Sequence, residues 1–65
     1  MSFSKPNGII PLENRQVIFL TVVNAQDRGI PVIKSRLDVA QQFGVTEDDV
    51  KAIEREGLDK QWPPL

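Results

Sequence analysis

Lys51 and Arg55 are four residues apart, a spacing that puts both cations on one face of a helix. Such a pair can reach base edges or phosphates of duplex DNA. It equally suits solvated pairing with neighbouring acids, Glu47 first among them. Arg36, with Lys34 and Arg28, could contact flanking phosphates. Just before the pair lies an acidic run, Glu47, Asp48 and Asp49. Consecutive helical residues point about 100° apart, so these carboxylates diverge instead of converging on a metal. They suit the positive end of a helix, or a basic protein partner. At the other end, Trp62-Pro-Pro-Leu65 could dock as a polyproline-like tail or fold back onto a core short of rings.

The usual catalytic residue types are missing. The chain has no His, no Cys and no Tyr. Ser2, Ser4 and Ser35 therefore have no imidazole to activate them. Without Cys there is neither a disulfide framework nor a thiolate metal site. Gly8, Gly29, Gly44 and Gly57 are too scattered to cradle a phosphate. The expectation is a protein that is not an enzyme and uses no metal or cofactor.

Charge is uneven along the 65 residues. Eight basic and nine acidic residues give a net charge of −1. Residues 1–43 carry five basic and three acidic side chains, and residues 44–65 carry three and six. A net of +2 is thus joined to a net of −3. DNA affinity rests largely on phosphate neutralisation, so the acidic half weighs against DNA binding.

These residues need elements to position them. At this length there is one domain, which buries roughly 60% of the surface its unfolded chain exposes. Residues 1–10 read as a flexible lead, rich in Ser, Pro, Asn and Gly. The lead has no long apolar core, so no secretory signal is expected, and a cytoplasmic protein without a membrane span is the default. Pro11 to Arg28 reads as the first helix, with Pro11 at the first helical position, Glu13 in the first turn and Gly29 as the stop. The run Val17 to Val23 is β-branched enough for a buried strand, but the length of the segment favours a helix. Ser35 to Phe43 reads as the second helix, capped by Ser35 with Asp38 three residues on. Val39, Ala40 and Phe43 form its apolar stripe. Thr46 caps a third helix with Asp49, and Val50 and Ile53 face inward. That helix ends at Gly57 or runs on to about Gln61.

The segment from Arg36 to Ile53 resembles the helix-turn-helix superfamily. Ala40 stands where two helices cross, Gly44 where the turn needs positive φ, and Val45 where a residue plugs the turn. Val39, Phe43, Val50 and Ile53 match the locking apolar positions. An ordinary helical hairpin is the plainer alternative. Val50 to Lys60 is also similar to the recognition helix of sigma-factor region four, so this likeness spans about Arg36 to Lys60. The ending Glu54 to Leu65 resembles small bacterial proteins of a cyanobacterial kind.

The resemblance implies that Arg36, Thr46, Lys51 and Arg55 would contact double-stranded DNA in a transcriptional regulator. The competing expectation is a protein-interaction module. There Glu47, Asp48, Asp49 and Trp62 would meet a basic partner. Val17 to Val23 is apolar around most of a helix, which adds a homodimer as an expectation. The expected fold is all-α: three helices over residues 11–62, a C-terminal helix-turn-helix, and a short irregular tail over 63–65.

Overall fold

The computed structural model describes residues 10–65. Three helices make up the domain: α1 (Leu12–Asp27), α2 (Val32–Phe43) and α3 (Glu47–Lys60). Among the described residues there is no strand, so the β-branched run Val17 to Val23 is helical. No helix of the described residues is long and apolar enough to cross a membrane. The expected lead lies outside the described residues except for Ile10, which is buried and belongs to the core.

Each helix boundary has a local cause. Pro11 takes the N-cap of α1 (φ −54°, ψ 148°) instead of the expected first helical position, which Leu12 holds. Its carbonyl accepts from the Arg15 N–H at 3.0 Å. At the other end Ile30 N–H donates to Ala25 O at 3.1 Å and Gly29 N–H to Gln26 O at 2.9 Å. This pair of bonds is a Schellman closure, and it requires the positive φ of Gly29, +93°.

The start of α2 differs from expectation. The helix begins at Val32, three residues before Ser35, because Pro31 supplies the fixed φ of an N-cap and accepts from Ser35 N–H at 2.9 Å. Ser35 is therefore inside the helix and fully buried. Its hydroxyl turns back to donate to Val32 O at 2.7 Å. Asp38 makes no cap and instead pairs with Lys34 at 3.3 Å. The apolar stripe of Val39, Ala40 and Phe43 packs inward, with Ser35 one turn earlier on the same face.

Gly44 ends α2 with φ +71°. Two residues later Thr46 opens α3 with a full capping box: Asp49 N–H donates to Thr46 Oγ1 at 3.0 Å and Thr46 N–H to Asp49 Oδ2 at 3.1 Å. α3 passes through Gly57 and stops at Gln61, whose backbone is left-handed (φ 54°). Trp62 N–H then donates to Gly57 O at 2.9 Å, which turns the chain back across the helices.

The core joins all three helices and the residues just outside them at Ile10 and Trp62. Ile18, Phe19 and Val22 come from α1, Val39 and Ala40 from α2, Val50 and Ile53 from α3, and Ile10 and Trp62 close it. Trp62 meets Phe19 edge-on, with ring centroids 5.9 Å apart and planes at 83°. Gly57 is buried against the same Phe19 ring. A Cβ there would sit 2.7 Å from Phe19 Cγ and closer still to Cδ1 and Cε1. Gly57 thus stays in mid-helix, despite a propensity cost of about 1 kcal/mol, because α1 and α3 approach too closely for a side chain. Gly57→Ala is expected to lower stability in urea titration by about 1–3 kcal/mol net, as overpacking does. An unchanged or raised midpoint would contradict this contact.

Candidate interaction surface

Beside the core runs a polar clamp that none of the sequence motifs indicated. Gln26 of α1 donates through Nε2 to Ser35 Oγ at 3.1 Å and to Glu54 Oε2 at 2.8 Å. Arg36 of α2 donates through Nε to Glu54 Oε1 at 2.6 Å. Both oxygens of the Glu54 carboxylate are thereby used, by two different helices. The Glu54 side chain is only 13% exposed and that of Arg36 26%. A carboxylate this far out of water must be paired, and it is. Among the described residues no buried side-chain nitrogen or oxygen lacks a partner.

A second ion pair holds α1 to α3 from the other side. Arg15 meets Glu56 through two nitrogens, Nε at 3.0 Å and Nη2 at 3.3 Å, and also donates through Nη1 to Ile10 O. Lys60 adds a contact to the same carboxylate at 3.2 Å.

The residues expected to carry function divide into two groups. Arg36 is held by Glu54. The Thr46 hydroxyl and the Asp49 carboxylate are engaged in the capping box. Trp62 is buried in the core, so it offers no docking surface. Lys34, named as a flank contact, pairs with Asp38. The others lie open. Lys51 and Arg55 are exposed on α3, and neither has an ion pair or hydrogen bond among the described residues. Asp48 is exposed and Glu47 half-buried at the tip of α3, with no such partner either. The outer face of α3 therefore changes sign along its length, acidic in the first turn and basic in the second and third.

Between α2 and α3 this face borders an open groove of about 370 Å³. Val32 and Leu58 line it, with Lys51 and Arg55 beside them and the Arg36–Glu54 pair and Gln26 beneath. Val32 is 46% and Leu58 61% exposed. On the neighbouring row of α2, Ile33 and Leu37 are also exposed. Among the described residues no group of three or more acidic side chains is gathered to hold a metal ion.

No protein-family model, curated protein or solved structure matches this chain.

Sequence reasoning missed Gln26, Ser35 and Glu54 as a unit. Glu54 had one visible signal: it adjoins Ile53 and follows Val50 by four residues, at the edge of the inward stripe. Nothing in the spacing linked it to Arg36, 18 residues away, or to Gln26, 28 residues away. Glu54→Ala is expected to cost about 1.5–3 kcal/mol, the range for hydrogen bonds to charged groups. In a double-mutant cycle with Arg36→Ala, followed by urea denaturation, a coupling of about 1 kcal/mol or more is expected. Additive losses would show that the pair contributes nothing jointly.

Proposed function

We propose that this chain is a non-enzymatic protein-interaction module on a helix-turn-helix scaffold. The acidic first turn of α3 meets a basic segment of a protein partner. The observation that carries this reading is the Arg36–Glu54 pair at 2.6 Å. A DNA-binding helix-turn-helix takes much of its phosphate contact from Arg and Lys side chains, and Arg36 is the flanking cation that the resemblance assigns to it. Here that cation is already neutralised, and the groove-entering end of α3 presents Glu47 and Asp48 instead. Three consecutive acids at that end repel phosphate and attract a basic protein surface. The scaffold itself is supported by Gly44 at positive φ, by Ala40 buried in the core, and by half-buried Val45 packed against that core.

One observation favours a second reading, a DNA-binding regulator. Lys51 and Arg55 are exposed one turn apart on α3 with no intramolecular partner among the described residues. That is the geometry of two phosphate or base contacts.

Fluorescence anisotropy separates the two. At about 50 mM salt, where the phosphate term is strong, a labelled mixed-sequence duplex is expected not to bind. A labelled Lys/Arg-rich peptide is expected to bind, and Glu47→Lys with Asp48→Lys is expected to weaken it about tenfold, or about 1.4 kcal/mol. Duplex binding that falls steeply with salt, and falls further in Lys51→Ala and Arg55→Ala, would replace the interaction reading with the DNA reading.

A further inference from the structure

We infer that the groove between the start of α2 and the second half of α3 seats an acidic, aliphatic segment of a protein partner. This inference deepens the protein-interaction reading and rests on it. It adds a site and a partner chemistry distinct from those of the acidic tip.

Charge gives the first argument. Lys51 and Arg55 flank the groove with no partner among the described residues. The one carboxylate in the lining, Glu54, is already neutralised by Arg36. The groove therefore presents a surplus of two cations, and a partner's carboxylates are their complement. Arg55 can take a carboxylate with its planar fork, which gives geometric selectivity as well as attraction.

Shape and polarity give the second. Val32 and Leu58 come from different helices and leave large apolar areas exposed across the groove. Beneath them Gln26 Nε2, Ser35 Oγ, the Glu54 carboxylate and Arg36 Nε are bonded to one another. The Glu54 carboxylate thus has both oxygens engaged, and Val32 and Leu58 leave aliphatic surface to be covered above it. An aliphatic side chain between Val32 and Leu58 places its neighbours on the helix or strand beside Lys51 and Arg55. The groove is open along its side, which suits a peptide segment laid across it.

A nucleic acid is the less favoured occupant. It would bring phosphates to Lys51 and Arg55 but leave Val32 and Leu58 facing a polar backbone, with Glu47 and Asp48 of the same helix nearby. The separation along α3 matters here. Asp48 and Arg55 are seven residues apart, about 10 Å of helix, which is about one Debye length at 0.1 M salt. Lys51 lies one turn from Glu47, so Arg55 is the groove cation farther from the acidic tip.

The test is an NMR titration of the whole chain at about 50 mM salt, where such charges are little screened. The probe is an amphipathic peptide of about 15 residues carrying Leu and Glu on one face. Two control peptides replace its Leu by Ser, or its Glu by Lys. The Leu/Glu peptide is expected to shift the amide signals of Val32, Lys51, Arg55 and Leu58 saturably. Either control is expected to bind about tenfold more weakly or worse. Leu58→Ser, and Lys51→Glu combined with Arg55→Glu, are expected to do the same to the Leu/Glu peptide, with Trp62 signals unchanged. These positions are exposed, so the fold is kept.

Equal shifts from the Glu and Lys peptides would overturn the inference. So would shifts centred on Val17 and Leu20 of α1, displacement of the peptide by mixed-sequence duplex, or concentration-dependent groove signals from a second copy of the chain. If the Lys peptide shifts Glu47 and Asp48 while the Leu/Glu peptide leaves the groove untouched, the groove inference fails and the interaction reading stands.

Discussion

The Glu54 carboxylate is the group on which the arrangement of the three helices turns. It sits on α3 with little solvent exposure, and low exposure makes an unpaired carboxylate costly. The cost is relieved only when α1 supplies Gln26 and α2 supplies Arg36 to its two oxygens. A single side chain thus requires both other helices in register. The clamp extends to the first turn of α2 through Ser35, whose hydroxyl is shared between Gln26 and the Val32 carbonyl. The proposed function rests on the same bond, since Arg36 is the residue that the helix-turn-helix resemblance would assign to DNA.

A chain this short buries a limited apolar area, so its packing leaves little slack. The Phe19 ring shows how the space is filled. It is fully buried, lies face to face with a glycine on α3, and receives the edge of Trp62 from the tail. Gly57 therefore sets how near α1 and α3 come, and Trp62 adds a second buried aromatic side chain beside Phe19 in the core. The left-handed turn at Gln61 is what aims the tail at the core.

Local signals carried most of the fold. Pro11, Gly29 and Pro31 bracket α1 and the link to α2 through backbone rules that need no tertiary knowledge. Thr46 with Asp49 and the glycine at 44 were equally readable, because caps and left-handed turns depend on near neighbours. The start of α2 was misplaced because two N-terminal signals competed. Ser35 has the chemistry of a cap, but Pro31 is pre-set in φ, and burial drew the serine hydroxyl inward to Gln26. Gly57 was ambiguous for a related reason: glycine marks both helix ends and close helix contacts, and only the position of Phe19 decides. For the surface, the exposure of Lys51 and Arg55 followed from helical spacing. The capture of Arg36 did not, since it depends on a tertiary contact between helices.

What results is a small three-helix domain with a paired flank at Arg36, an acidic tip on α3 and a groove lined by cations and aliphatic side chains. The hold of Glu54 on Arg36 is the contact on which these features most depend. Proton exchange of the arginine Nε–H groups with water, followed by NMR at low salt, tests it directly. Arg36 and Arg15, both bonded through Nε to carboxylates, are predicted to exchange about tenfold more slowly than Arg55, a factor that corresponds to about 1.4 kcal/mol. Adding mixed-sequence duplex is predicted to leave the Arg36 signal in place. An Arg36 Nε–H that exchanges as fast as that of Arg55, or that shifts when duplex is added, would contradict the account.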